Sequence, residues 1–161
     1  MISSEKTIHQ LYTSIAQGNL SAIDRCYSAA VKFHDPVFGK LTANKVPKMW
    51  KMLIQKSYEK PDIEYKIIKI NEHTAEVKWK AVYIFGKKKR KIINNIHSVF
   101  HFKDGLIIKQ NDDFNIWKWT RQAFGLSGFL FGWTGYMQRK IQMKAQSSLS
   151  TFNETSFKIN S

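Results

Sequence analysis

The chain has 161 residues, of which 43% are apolar and 14% are aromatic. That length can bury one sizeable hydrophobic core but is too short for two domains of ordinary size. Its 26 Lys and Arg residues outnumber its 12 Asp and Glu residues, and the formal net charge is +14. Such a charge favours contact with anionic surfaces or ligands and says nothing about the fold.

The location of the protein is predicted from what the sequence lacks. Cys26 is the single cysteine, so no internal disulfide bond can form. The first six residues, MISSEK, lack the basic flank and apolar stretch of a signal peptide. No apolar run approaches the roughly 20 residues needed to span a bilayer. We therefore expect a cytoplasmic protein.

Two helices are predicted at the start of the chain. Ser3 or Ser4 can cap the first, and Gly18-Asn19 supplies its stop. The apolar residues of this first helix fall on one face and are Ile8, Leu11, Tyr12 and Ile15. The second, short helix begins at Asn19 or Ser21 and is predicted to carry on one side Ile23, Cys26 and Tyr27.

A strand and a third helix follow. Residues 31–36 alternate in polarity, which places Val31, Phe33 and Asp35 on one face of a strand. The helix begins after Asn44 and tolerates Pro47 in its first turn. Its apolar stripe is Val46, Met49, Trp50, Leu53 and Ile54.

From Pro61 onward the apolar period becomes two, which predicts three strands of an antiparallel meander. Asp104-Gly105 is a strong hairpin signal that leads into a last strand from Leu106 to about Asn115. The turn length decides which residues of this last strand face inward.

A two-residue turn would place Phe102 opposite Ile107, whereas a three-residue turn with Gly105 in the left-handed conformation would place Phe102 opposite Leu106. We predict the three-residue turn, because a slip by one residue would turn half of the aromatic residues outward. The residues that this register gathers on one face are Phe100, Phe102, Ile108 and Phe114.

Helical segments are predicted after the sheet. The first runs from Trp117 to Phe124 and stops at residues 125–128, GLSG. The second begins at about Phe129, frays beyond Ser147 and carries Leu130, Trp133, Met137, Ile141 and Lys144. We predict a single domain over residues 1–150 and a polar tail over residues 151–161.

Asp35 is the first candidate catalytic residue. Alternation places its carboxylate on the face of the strand that points to the core, and Pro36 holds it in an extended conformation. Burial raises the pKa of an acid and makes its ionised form a stronger base, as proton abstraction next to a carbonyl requires. The alternative is a carboxylate that caps the turn beginning at Pro36, and the sequence favours neither.

A second group of polar residues is predicted inside the sheet. Gln110, Asp112 and Phe114 face inward from the last strand, opposite Asn94 and Ser98. Buried polar groups must be paired, so these side chains either bind one another or bind a ligand. Asp112 is the second candidate catalytic residue. The aromatic residues interpreted as core or pocket wall are Trp50, Trp79 and Tyr83.

Several kinds of chemistry have no signal in the sequence. The five histidines do not cluster with one another or with Cys26 and acidic residues, and there is no phosphate-binding glycine loop or GxSxG motif. We expect no metal ion and no cofactor, and we interpret Cys26 as an inert core thiol. The basic run from Lys87 to Lys91 is typical of a solvated hairpin tip, and no nucleic-acid partner is expected.

The element order and two motifs, FHDPVFG (33–39) and DGLIIKQNDDFNIWKW (104–119), resemble the nuclear transport factor 2-like superfamily. This superfamily contains ketosteroid isomerases and SnoaL-like polyketide cyclases, and the resemblance covers residues from about 5 to 125. It implies an α+β fold, a cone-shaped roll with N-terminal helices packed on a curved, mostly antiparallel sheet, here with an extra C-terminal helix. It also implies a homodimer.

The resemblance assigns roles to both carboxylates. The ketosteroid isomerase pattern, an aspartate before Pro-Val, would make Asp35 the general base. The SnoaL-like pattern, which continues into RQAFG (121–125), would make Asp112 the acid or base. The oxyanion-hole tyrosine and protonated aspartate of ketosteroid isomerases align with Leu11 and Ser98, and Tyr12 is one residue out of register. Steroid isomerisation by that mechanism is therefore not expected.

Two functions follow from the sequence. The first is binding of a small apolar or polar-tipped molecule, with Asp35 or Asp112 as the base of an isomerase or cyclase. The predicted ligand-binding residues are Tyr12, Trp50, Trp79, Tyr83, Asn94, Ser98, Gln110 and Phe114. The alternative is a non-catalytic dimeric scaffold whose basic, aromatic C-terminal helix contacts a partner or an anionic membrane surface. Aromatic stripes are more often core, so we rank the membrane contact lower.

Overall fold

The computed structural model describes residues 1–131 and 134–152. Its helices are α1 (Ser3–Gln17), α2 (Leu20–Asp24), α3 (Lys45–Lys56), α4 (Ile116–Phe124), α5 (Leu126–Phe131) and α6 (Gly135–Thr151). Its strands are β1 (Tyr27–Asp35), β2 (Gly39–Thr42), β3 (Asp62–Ile70), β4 (Thr74–Phe85), β5 (Arg90–Lys103) and β6 (Leu106–Asp113).

All six strands form one sheet in the order β2-β1-β6-β5-β4-β3. Only the β1–β6 pair is parallel, so the predicted mostly antiparallel α+β class is confirmed. The inner face of the sheet carries the main core. Helix α1 packs against β3, β4 and β6, and α3 packs against β1 and β2.

The first helix ends where the sequence predicts, because Gly18 adopts the left-handed conformation. The predicted serine cap is wrong: the N-cap residue is Ile2, and Ser3 and Ser4 lie inside the helix. The Ser4 hydroxyl instead donates to the carbonyl of Asn71 at 2.8 Å, which ties α1 to the turn between β3 and β4.

Tyr27 does not extend the second helix, which ends at Asp24. It begins β1, because its backbone pairs with Ile107 of β6 and a pairing partner so distant in sequence outweighs local helical spacing. Strand β2 was not predicted. It pairs Gly39 with Asp35 and Leu41 with Phe33, and its four residues make only a short signal in the sequence.

On α3, the predicted inward position of Leu53 is wrong. Leu53 is 42% exposed, whereas Met52 is 4% exposed and belongs to the core. Helix α3 contacts α2 and α6 as well as the sheet, and the apolar spacing of a single helix does not reveal such additional partners.

The predicted turn between β5 and β6 is also wrong. Phe102 pairs with Ile107, so the turn has two residues, Asp104 and Gly105, with φ of 52° and 76°. Positive φ at both positions is typical of a type I′ turn, whose twist matches that of the flanking strands.

A β-bulge then restores the predicted orientation of the polar residues. The register shifts between Phe102 and His101, and beyond the shift Phe100 pairs with Gln110 and Ser98 with Asp112. Ile107 therefore takes the buried place expected for Ile108, while Gln110 and Asp112 face inward as predicted.

The C-terminal region contains one more helix than predicted. Gly125 ends α4, but the following residues form α5 rather than a loop. Of the residues predicted on the final helix, Leu130 lies in α5 instead and is 49% exposed, and Lys144 lies in α6 and is exposed. Helix α6 continues past Ser147 and buries Leu149. Trp133 and residues 153–161 of the predicted tail lie outside the described residues.

The turn after β5 gives a test of the register. Gly105→Ala should lower the free energy of unfolding by about 1–2 kcal/mol, because the left-handed conformation is strained for alanine and the new Cβ would lie 3.2 Å from the side chain of Ser3. Gly86→Ala is the matched control, with φ of +70° and no atom within 4 Å of its Cβ. Equal shifts of the urea denaturation midpoint would contradict this packing.

Candidate active site

A chain of hydrogen bonds crosses the inner face of the sheet. The Trp50 indole nitrogen donates to the Tyr27 hydroxyl at 2.9 Å, and this hydroxyl donates to Gln110 Oε1 at 2.7 Å. All three side chains are buried. Tyr27 was missed by sequence analysis, because its polar role depends on the β1–β6 pairing that places it beside Gln110.

The same chain continues to Asp112. Gln110 Nε2 donates to Asp112 Oδ1 and Oδ2 at 3.0 and 3.1 Å, and the Ser98 hydroxyl donates to Oδ1 at 2.6 Å. The Trp79 indole nitrogen donates to Ser98 at 2.8 Å. The predicted inward residues Ser98, Gln110 and Asp112 therefore bind one another, as one of the two sequence-based alternatives required.

Asp112 remains a titratable group in spite of these bonds. Burial raises its pKa from 3.8 to about 6, although the hydrogen bonds from Ser98 and Gln110 act in the opposite direction. Desolvation therefore outweighs hydrogen bonding at this carboxylate.

Asp35 caps a turn and is desolvated at the same time. Its Oδ1 accepts hydrogen bonds from the backbone nitrogens of Val37 and Phe38, at 2.9 and 2.5 Å. Burial nevertheless raises its pKa from 3.8 to about 7; the charge of Asp112 also raises it, and the backbone bonds lower it. The turn-capping alternative is thus confirmed, whereas Asp35 is half-buried and its catalytic role stays a prediction.

The hydroxyl of Tyr12 is buried and, within the described residues, has no hydrogen-bond partner. Its ring stacks on Tyr65 with centroids 4.6 Å apart and is tilted against Trp79 at 5.2 Å. Burial and then the charge of Asp112 raise its pKa, and the nearby Ser98 hydroxyl lowers it without meeting hydrogen-bond geometry. Tyr12 therefore lies in the interior, although in sequence it is one residue out of register with the oxyanion-hole tyrosine of ketosteroid isomerases.

The remaining predicted ligand-binding residues are Tyr83, Asn94 and Phe114. Tyr83 accepts a hydrogen bond from the Trp119 indole nitrogen at 2.9 Å. Burial raises the pKa of Tyr83 to about 12, and the charge of Asp35 contributes to this rise. Asn94 is buried, and Phe114 is half-buried against both core clusters. Trp119 joins this group from α4, although its position after the sheet gave no signal of that contact.

The C-terminal helices cover the turn that Asp35 caps. From α6, the Gln142 side chain donates to the carbonyl of Pro36 at 3.3 Å, and the Gln146 side chain donates to that of Phe38 at 2.7 Å. A second core cluster packs here and contains Ile92, Trp119, Ala123 and Ile141. Two surface grooves, one over the outward side of β3–β6 and one beside α4 and α5, are lined by neither Asp35 nor Asp112.

Residues 8–110 match the family model of the SnoaL-like domain. The chain belongs to the SnoaL-like family. A search of curated protein sequences finds no significant match.

Solved structures share the fold of this SnoaL-like domain at low identity. An isomerase candidate from Bacillus subtilis is 11% identical with a TM-score of 0.65 over 76% of this chain and 93% of its own. A polyketide cyclase candidate from a Silicibacter species is 15% identical with a TM-score of 0.63 over 75% and 95%. An LEH-like epoxide hydrolase from M. tuberculosis is 12% identical with a TM-score of 0.55 over 92% and 95%.

Two further features of the SnoaL-like domain concern metals and membranes. Across residues 1–131 and 134–152, no three His, Cys, Asp or Glu side chains come together as a metal site would require. No helix in that part of the chain is both long and apolar enough to cross a membrane. Cys26 is buried, and burial raises the pKa of its thiol to about 12, which makes it unreactive near neutral pH.

The raised pKa of Asp35 predicts how stability depends on pH. Because its pKa rises from 3.8 to about 7 on folding, the folded chain binds more protons than the unfolded chain between these values. The contribution of Asp35 is fully present below the lower value and is lost as the pH rises through the higher one.

Between about pH 4 and about pH 8, the free energy of unfolding should therefore fall by up to roughly 4 kcal/mol more for the wild type than for Asp35→Asn. Urea denaturation at each pH measures this difference. The control variant Asp113→Asn changes the exposed neighbour of Asp112, and its free energy of unfolding should depend on pH as that of the wild type does. Parallel curves for the wild type and Asp35→Asn would show that Asp35 is not desolvated.

Proposed function

We propose that this SnoaL-like domain binds a small molecule with an apolar body and a polar tip at the inner face of its sheet. Asp35 then acts as the general base of an isomerase- or cyclase-type reaction. The observation that carries the proposal is a half-buried carboxylate at the end of β1 whose pKa is raised to about 7 by burial. A base whose pKa lies near the working pH combines a useful ionised fraction with a strong tendency to take the proton.

Asp35 suits the role of base better than Asp112. The Asp112 carboxylate accepts three hydrogen bonds from Ser98 and Gln110, which occupy both of its oxygens. The two hydrogen bonds described above for Asp35 both fall on Oδ1. In this proposal Asp112 acts through its charge, which raises the pKa of Asp35.

Tyr12 is the proposed donor to the ligand. Burying a hydroxyl without a partner costs free energy, and a ligand oxygen placed at Tyr12 would remove that cost. When Asp35 takes a proton from the carbon next to a carbonyl, the carbonyl oxygen gains negative charge as an enolate forms. A hydrogen bond from Tyr12 would stabilise that charge, and Ser98 lies close enough to position the donor.

The remaining predicted ligand-binding residues would form the walls of this site. Trp50, Trp79 and Gln110 belong to the hydrogen-bonded chain, so they would hold the polar end in place. Tyr83, Asn94 and Phe114 would contact the ligand near Asp35. The named activities of the structural relatives, isomerase, polyketide cyclase and epoxide hydrolase, support an enzyme acting on a small molecule.

A ligand can enter the interior from the side of the Asp35 turn only if the C-terminal helices move. Gln142 and Gln146 bind the turn that Asp35 caps, so a ligand that reaches Asp35 from that side would displace these contacts.

The homodimer implied by the family resemblance stays a prediction. If two copies met through the outward face of the sheet, charged side chains would have to pair across the contact, since Lys66, Lys78 and Glu64 line the groove there.

Exchange of α-protons in D₂O tests the proposed base. We expect the wild type to accelerate deuterium incorporation into at least one of a panel of ketones and β-diketones, followed by NMR. Asp35→Asn should reduce the exchange rate by about 10²–10⁴-fold. Asp113→Asn, which removes a neighbouring carboxylate on the outward face, should leave the rate unchanged.

The same assay distinguishes the two carboxylates. If Asp112→Asn abolishes exchange and Asp35→Asn does not, the base is Asp112. If both variants exchange every compound as fast as the wild type, general-base catalysis at this site is wrong. Tyr12→Phe should slow exchange by a larger factor than it weakens ligand binding, because its hydrogen bond to the ligand strengthens as the enolate forms.

A further inference from the structure

Two segments of the chain carry many cations and no acidic residue. The β4–β5 hairpin carries five consecutive Lys and Arg residues, 87–91. The segment 116–152, which contains α4, α5 and α6, has five Lys and Arg residues and no Asp or Glu. Cations are therefore concentrated in the hairpin tip and in the C-terminal helices, the regions that the sequence identifies as basic.

The hairpin and the C-terminal helices meet in a groove. Its cationic lining residues are Lys88, Lys89, Arg90, Lys91, Lys118 and Arg121. The Gln122 side chain fixes the two walls, because it accepts from the backbone nitrogen of Ile93 at 2.7 Å and donates to the Ile93 carbonyl at 3.1 Å. These two hydrogen bonds hold the charged side chains of the groove on a defined backbone.

No carboxylate neutralises these cations within the described residues. The Arg90 side chain donates to the backbone carbonyl of Gln122, the Arg121 guanidinium lies 4.6 Å from the centre of the Trp117 ring, and Lys89 lies over Tyr58. The Nε atom of Arg121 is buried and has no hydrogen-bond partner in the described part of the chain. An anionic partner would supply the missing interactions.

Exposed apolar side chains adjoin the groove. On α5, Leu126 is 74% exposed, Phe129 is 51% exposed and Leu130 is 49% exposed. Leu126 and Phe129 line the groove itself. Adjacent apolar groups with this exposure indicate an interaction surface, and their mixture with cations is typical of segments that lie on a bilayer.

We propose that this surface, the α5 docking surface (residues 88–91, 118, 121 and 126–130), binds the face of an anionic lipid bilayer. Its cations contact the headgroup phosphates, and the apolar side chains of α5 enter the boundary with the acyl chains. A second copy of the chain would bring the same positive charges to the contact and be repelled. A nucleic acid would satisfy the cations but leave the exposed side chains of Leu126 and Phe129 in water.

Vesicle sedimentation tests this surface with the full-length chain. Wild type should sediment with vesicles of phosphatidylcholine mixed with phosphatidylglycerol, and not with phosphatidylcholine alone. The triple variant Lys88→Gln, Lys91→Gln, Lys118→Gln should bind the mixed vesicles roughly a hundredfold more weakly, at about fivefold per cation. These three side chains are exposed, so the variant should keep the circular dichroism spectrum of the wild type.

A charge-matched control separates the surface from net charge. Lys66→Gln, Lys78→Gln, Lys109→Gln removes three exposed cations from the outward sheet face and should bind the mixed vesicles nearly as well as the wild type. If both triple variants lose affinity equally, the attraction comes from overall charge and the proposal is wrong.

A second pair of variants tests the apolar contribution. Leu126→Ser with Phe129→Ser should weaken vesicle binding at least tenfold and reduce the part that survives high salt, because apolar insertion is not screened. The control variant Ile68→Ser with Leu106→Ser, at exposed positions outside this surface, should bind the vesicles as well as the wild type does. Binding to a single-stranded oligonucleotide without binding to mixed vesicles would overturn the proposal and assign the surface to nucleic acid.

Discussion

Burial of the Asp112 carboxylate is the constraint on which the interior depends. An ionised carboxylate in an apolar surrounding is stable only if hydrogen bonds replace its water, and Ser98 and Gln110 supply them. Those two residues are held in turn by Trp79 and Tyr27. The chain of bonds thus joins β1, β4, β5 and β6 across the inner face of the sheet.

This arrangement gives the two carboxylates different tasks. Asp112 is enclosed by side-chain donors, whereas Asp35 is held by the backbone of a turn at the strand end and covered by α6. The charge of Asp112 raises the pKa of Asp35, so the buried network tunes the residue proposed as base. Helix α4 connects this interior to the proposed membrane surface, since Trp119 reaches Tyr83 and Arg121 lines the groove. An apolar ligand dissolved in a bilayer would then lie near its binding site.

Most of the sheet could be predicted because apolar alternation is a local signal. The inward positions of Ser98, Gln110 and Asp112 followed from it, although the hairpin register did not. The type I′ turn and the bulge near Phe102 each shift the pairing by one residue in the same direction. Each shift reverses which residues face inward, so the two together leave the polar residues on the inward face. The role of Tyr27 could not be predicted, because it depends on pairing with a strand some eighty residues later. The same holds for the contacts of α6 with the Asp35 turn.

The most direct test of this account is a ¹³C NMR titration of the side-chain carboxyl carbons of the wild-type protein, with Asp35→Asn and Asp112→Asn used for assignment. The account predicts a pKa of about 7 for Asp35 and of about 6 for Asp112. It also predicts that the pKa of Asp35 falls in Asp112→Asn, because the neighbouring charge is removed. Two carboxyl groups that titrate near the ordinary aspartate value of 3.8 would contradict the desolvated site and the general base built on it.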